Sequence, residues 1–431
     1  MGRRFRTGVA WNLVATTSNQ GSTLLVNILL ANVLGQYAFG RYAIVLSTVQ
    51  MTSMMAGLAM GYTATKYLAE FRVADPPRAS RVLAFCSALS TGMAIAAGFG
   101  LFLAAPVLAR EVFGTPTMAP LLRISGGVCL FMTINGFMMG ALAGLESYRV
   151  LGGVGIASGL LYVVVEVGFA RLWGIEGAVG GLLLSAGIQS ILLKYFLNRS
   201  AATIGLRADY RHMARERRIL LHFALPGALA GLTTAPALWT SQAILARQPD
   251  GFAGLAIYMA AYNLMGIVLF LPGVANGVGM SLINSARGQG DAGQYRRVFW
   301  ANLRVTLLVV AAGATGLLLL GRYGLAAYGT SFLPGTTVLW ILLVGVVPES
   351  ITMALYQVVQ SREKMWYGMS HVVLPRDLSM PALGVFLVPA LGAEGLALAY
   401  TGSRIIGLFA TIIAVTRLGL SPAPATAFDP S

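Results

Sequence analysis

A chain of 431 residues that is 57% hydrophobic and only 10% charged is too apolar for a water-soluble domain, which runs about 45–50% apolar and about 25% charged. The same composition excludes an intrinsically disordered chain. The net charge of +15 would suggest nucleic acid in a soluble protein. Here the basic residues lie mostly between apolar spans, where they set topology and meet anionic headgroups, so no nucleic-acid partner is expected.

A polytopic membrane protein remains. At about 20 residues per crossing, the apolar runs predict twelve spans at 9–34, 42–65, 82–109, 119–143, 150–171, 175–196, 219–246, 253–284, 298–321, 331–360, 366–389 and 394–416. The start, MGRRFR, reads as an inside anchor for the first span, since no short apolar stretch with a small-residue cleavage site follows it. That span is unusually polar. Asn12, Thr16, Asn19, Gln20, Thr23 and Asn27 recur mostly at steps of three and four, which puts them on one helix face. Such a face turns away from lipid. It either lines a hydrated cavity that hydrogen-bonds sugar hydroxyls or glues helices together.

Cys86 and Cys129 fall inside the third and fourth spans and read as small core residues, not as a disulfide or metal site. Arg123 lies near the outer end of the fourth span, within snorkelling reach of the interface. Glu166 lies in the fifth. The loop 197–218 carries Arg199, Arg207, Arg211, Arg215, Arg217 and Arg218, and is expected to link a lobe at 1–196 to a lobe at 219–417. The seventh span holds Pro226 and Pro236, so it is kinked, either as a gate or as a fixed bend. Arg304 snorkels from the ninth span. Glu349 follows Pro348 in the tenth.

Arg376 and Asp377 are about ten residues into the eleventh span, and Arg404 is about ten residues into the twelfth from the other side. At 1.5 Å per residue, all three lie roughly 15 Å deep, near the bilayer midplane. Charge at that depth is expensive and marks a site. Neighbouring residues on a helix point apart, so Asp377 is expected to pair with Arg404 and leave Arg376 to point elsewhere. The arginines either bind an anion, since a guanidinium fork suits phosphate, or complete ion pairs with Asp377, Glu349 and Glu166. Glu349 and Asp377 are also candidates to carry coupling protons. The Pro/Ala-rich tail 418–431 reads as disordered.

The chain repeats. Tyr42 and Tyr258 lie 216 positions apart, as do Gly61 and Gly277, and Arg81 and Arg297. Gly174-Ile175-Glu176-Gly177 aligns with Gly392-Ala393-Glu394-Gly395 at a shift of 218. Two homologous six-helix halves follow, in the same orientation because six is even. Transporters built this way place substrate between their halves and rock them. With the amino terminus inside, the outside loops and span ends hold only Arg41, Arg110, Arg171, Arg247 and Arg322. Both termini are therefore expected in the cytoplasm. No phosphate-cradling loop, zinc-ligand spacing or nucleophile elbow occurs. No cofactor, metal or catalytic residue is expected, and the protein is not expected to be an enzyme.

LANVLGQYAFGRYAIVLSTVQ, followed by GYTATKYLAEFR, resembles the amino-terminal region of bacterial polysaccharide flippases. These are the O-antigen and exopolysaccharide repeat-unit translocases of the multidrug/oligosaccharidyl-lipid/polysaccharide exporter superfamily. LGAEGLALAYTGSR resembles their last loop and helix. The resemblance implies an all-α, V-shaped inner-membrane transporter with a basic cavity, for oligosaccharides linked to undecaprenyl diphosphate. Between the amino-terminal anchor and Lys66 the only basic residue is Arg41, which leaves Arg376, with Arg404 and Arg123, for the diphosphate and the first-span stripe for sugar. Polysaccharide polymerase or glycosyltransferase partners are compatible with this reading. Its rivals are a cation-coupled drug or metabolite exporter of the same superfamily and a membrane-embedded polysaccharide polymerase.

Overall fold

A computed structural model describes residues 2–217, 225–288, 292–362 and 364–418. The tail beyond 418 and Arg218 lie outside the described residues. The described chain is helical: α1 Gly2–Gly57, α2 Met60–Ala74, α3 Pro76–Val107, α4 Ala119–Gly144, α5 Tyr148–Thr203, α6 Leu225–Ala246, α7 Gly251–Gly288, α8 Ala292–Tyr328, α9 Gly335–Ser361, α10 Met365–Gly368 and α11 Leu374–Leu418. A π-turn over Met369–Val373 joins α10 to α11. Eight of the described helical stretches are long and apolar enough to cross a membrane, three of them 38 to 56 residues long. This is an all-α polytopic membrane fold.

The three longest stretches each bend at a glycine: α1 at Gly35, α5 at Gly174 and α11 at Gly392. Each bend separates two of the spans read from sequence. Gly174 (φ 59°, ψ −140°) and Gly392 (φ 55°, ψ −126°) share one backbone conformation, in a region that L side chains rarely adopt. The second glycine of each motif has a different duty. A Cβ at Gly177 would strike the Phe169 carbonyl oxygen, and one at Gly395 the Leu387 carbonyl oxygen. The repeated G-x-E-G is thus a helix-hairpin device, with one glycine turning the chain and the other letting the returning arm pass against the first. Gly395→Ala should lower the apparent melting temperature of the detergent-solubilised protein by several degrees, because overpacking typically costs about 1–3 kcal/mol. An unchanged melting temperature would mean that the hairpin can open at no cost.

The second span departs from its reading as one continuous helix. α1 stops at Gly57, Leu58 and Ala59 take left-handed conformations (φ 42° and 53°), and α2 starts afresh at Met60. Non-glycine residues in that region are uncommon, so nothing local in the sequence marks the break.

The chain forms two compact units, Met1–Trp239 and Thr240–Ser431, which divide within α6. In the first, α4 is the central helix, packed on α3, α2, α5 and α1. It meets α2 backbone to backbone: a Cβ at Gly61 would sit 2.6 Å from the Gly136 carbonyl oxygen, and Thr65 Oγ1 donates to the Gly140 carbonyl at 2.8 Å. Small residues permit such close crossings in membranes. Asn135 donates to the Ala186 carbonyl and to Gln189, to which the Tyr162 hydroxyl also donates. This is polar glue between α4 and α5. Cys86 and Cys129 are free and buried in α3 and α4. In the second unit, α9 packs on α11, α8 and α7.

The basic segment after α5 is a strap fastened to α3. α5 continues to Thr203, beyond the predicted span end. Leu206 enters the core with Ala79 and Val82. The Asp209 amide donates to the Ser80 carbonyl at 3.1 Å. Buried Glu216 accepts from Arg81 Nε at 3.1 Å and faces Arg78 Nε at 3.4 Å. Arg199, Arg207, Arg211, Arg215 and Arg217 stay exposed. The His212 ring, 2.9 Å from Asp209, holds that carboxyl below the usual carboxylate range.

Candidate functional site

The polar residues of α9 recur with helical period. Glu349, Thr352, Met353, Tyr356, Gln357 and Gln360 share one face, and that face walls a cavity of about 380 Å³ within the second unit. Val372 and Val373 of the π-turn, Arg376 at the start of α11 and Arg404 on its second arm close the other side. The structure therefore brings together Arg376, Arg404 and Glu349 from α9 and the two arms of α11.

Their pairing differs from the expectation. Asp377 does not take Arg404. Arg376 Nε donates to Asp377 Oδ1 at 2.8 Å, although neighbouring side chains leave a helix in different directions. The reason is reach. The methylene stem of Arg376 lies across Gly407, where an added Cβ would come within 2.9 Å of its Cγ. Nε can then fold back onto the adjacent carboxylate. Arg404 instead faces Glu349, with Nε 3.6 Å from Oε2. Its guanidinium stacks over the Tyr400 ring at 4.4 Å, and the Tyr400 hydroxyl donates to Glu349. Tyr262 meets Tyr400 edge-on at 5.8 Å. Arg404 is 5% exposed and Asp377 3%. Burial at this level is tolerable only because each charge has a partner. Each of the two arginines of the cavity wall thus faces a carboxylate.

The other predicted site residues belong to the first unit and do not line this cavity. Arg123 is exposed on α4 and lies over the Phe102 ring at 5.7 Å. Buried Glu166 accepts from the Tyr42 hydroxyl at 2.9 Å, which ties the second arm of α1 to α5. In the first-span stripe, Asn27 is buried and donates to the Thr23 carbonyl of its own helix at 2.8 Å, while Gln20 and Thr23 are exposed. The side chains of Asn12, Thr16 and Asn19 lie outside the described residues, as does that of Pro226. Thr352, Tyr356, Gln357 and Gln360 were missed. The three-and-four spacing test that picked out the first span would have found them on the tenth. A second cavity, of about 420 Å³, opens where α1 breaks before α2, lined by Gln50, Ser53 and Thr133 among methionines and glycines.

These features define an all-helical membrane fold with a charge-paired cavity inside one of its units. Residues 5–283 match the polysaccharide biosynthesis protein family, and the chain belongs to that family. It is similar to the EPS I polysaccharide export inner membrane protein EpsE of Ralstonia nicotianae, at 23% identity, with 91% of this chain and 89% of that protein aligned. In fold it is similar to a multidrug resistance MATE family transporter of the MOP superfamily in an inward-facing conformation. That match has a TM-score of 0.78 at 16% identity and covers 94% of this chain and 98% of the other. It is also similar to the lipid II flippase MurJ in an inward closed conformation, with a TM-score of 0.77 at 16% identity, over 95% of this chain and 87% of that one.

Proposed function

We propose that this protein is a flippase of the bacterial inner membrane. It moves oligosaccharide repeat units, linked to undecaprenyl diphosphate, from the cytoplasmic to the outer leaflet. The observation that carries the reading is the convergence of Arg376 and Arg404 on one cavity with a polar α9 face. The arginines offset the diphosphate charge, and Asp377 and Glu349 hold them compensated while the site is empty. Membership of a polysaccharide biosynthesis family and similarity to a polysaccharide export protein support this substrate class. Both termini face the cytoplasm, and the six-helix lobes 1–196 and 219–417, joined by 197–218, alternate access.

Deleting the gene should abolish surface polymer and trap single lipid-linked repeat units on the cytoplasmic leaflet, as read by extraction and by accessibility to an added glycosidase. Intact polymer with altered drug sensitivity would move the protein to the multidrug exporters. Units that reach the outer face but never lengthen would make it the polymerase.

A further inference from the structure

Gln50 is an amide deep in the first unit with nothing to bond. It lies eight residues into the second span, roughly 12 Å from the nearer end. It is exposed there and makes no hydrogen bond among the described residues. Other amides of this unit are satisfied within the protein: Asn27 and Asn32 each donate to the carbonyl four residues back, and Asn135 donates to α5. An unbonded amide turned to lipid at that depth is costly. Gln50 instead lines the second cavity, of about 420 Å³. Gln20 of the first span is also exposed but does not line it.

Two further features mark this cavity as a place for a polar ligand. Ala59, in the break between α1 and α2, is part of its wall, and non-helical backbone at membrane depth is tolerated where it is buried in protein or borders water. Glycine also keeps the space open. A Cβ at Gly57 or Gly136 would meet nothing within 4 Å, whereas one at Gly61 would strike the Gly136 carbonyl oxygen. Close packing therefore accounts for Gly61 but not for Gly57 or Gly136, which both line the cavity. No charged side chain among the described residues lines it. Gln50 and Ser53 supply neutral hydrogen-bonding atoms, and Met54 and Met132 supply accessible apolar surface. A cationic drug finds no carboxylate in this wall, and a phosphate finds no cation. An uncharged ring with hydroxyls on its rim and apolar faces fits both kinds of surface.

We infer that the cavity at the α1–α2 break is a sugar subsite in which Gln50 is the specificity-determining residue. Its amide donates through Nε2 and accepts through Oε1, which matches two neighbouring ring hydroxyls, while Met54 and Met132 cover the ring's apolar faces. The inference rests on the flippase reading for the source of the sugar, but binding can be tested without transport. The purified full-length protein in detergent is titrated, by saturation-transfer difference NMR, with the neutral oligosaccharide released from the cell's own surface polymer by mild acid. Wild type should bind it. Gln50→Leu, which keeps the bulk and removes the amide, should weaken binding about tenfold. Gly136→Met, which fills the cavity from the opposite wall, should abolish it.

Both variants should melt at the wild-type temperature, since Gln50 bonds nothing and Gly136 has space beside it. Wild-type affinity in Gln50→Leu overturns the inference and leaves the flippase standing, as does a wild-type protein that binds no oligosaccharide. Wild-type affinity in Gly136→Met places the sugar outside this cavity and overturns the inference as well. Gln50-dependent binding in a protein whose gene deletion leaves polymer intact would keep the sugar subsite and remove the flippase.

Discussion

Arg376→Ala is expected to reduce flipping of a fluorescent lipid-linked oligosaccharide in reconstituted vesicles by roughly 10- to 100-fold, the range given by losing a charge-assisted hydrogen bond of about 1.5–3 kcal/mol. The substitution also takes from buried Asp377 the donor that sits 2.8 Å away, so part of any loss would reflect instability. Arg376→Gln combined with Asp377→Asn removes both charges and keeps hydrogen-bonding capacity. It should fold at wild-type yield and still fail to flip. Arg376→Lys keeps the charge without the planar fork and should fall between wild type and Arg376→Ala. Wild-type flipping by the double variant, at equal protein level, would remove Arg376 from substrate binding.

Glu349→Leu should be the most destabilising single change in the cavity. It leaves Arg404, 5% exposed, without the carboxylate it faces. Breaking a buried pair from one side costs about 3–5 kcal/mol, whereas replacing both members with apolar residues of similar volume is often neutral. Glu349→Leu with Arg404→Met should therefore recover most of the stability lost in the single variant, as read by the apparent melting temperature in detergent. Activity should separate from stability, with both variants losing flipping because both lose the arrangement around Arg404. A double variant as unstable as the single one would show that Arg404 is held mainly through its stacking on Tyr400 and not by the ion pair.

A cavity whose charges pair internally also bears on the rival exporter reading. Asp377 and Glu349 are the acidic groups that a cationic drug would seek, yet each already faces an arginine.

Much of the fold was legible because a bilayer imposes one requirement on every span: about 20 apolar residues with all backbone groups satisfied internally. The apolar runs follow from that requirement, whereas the bends at Gly35, Gly174 and Gly392 were seen only in the structure. Leu58 and Ala59 were not legible, since their left-handed conformations are uncommon for such residues. The intramembrane charges were legible as residues of interest because charge is rare at that depth.

Their partners were not. Side-chain direction on an ideal helix says that Arg376 and Asp377 point apart, and it carries no information about a glycine on the opposite arm. What the sequence by itself determined is the membrane-spanning helical class and the cost of burying Arg376, Asp377, Arg404 and Glu349. What only the tertiary structure decided is which of them meet. Gly407 lets the long Arg376 stem lie flat and fold back onto Asp377, and the packing of α9 on α11 sets Glu349 beside Arg404. Burial makes an ion pair obligatory, but the crossing of helices chooses the partner.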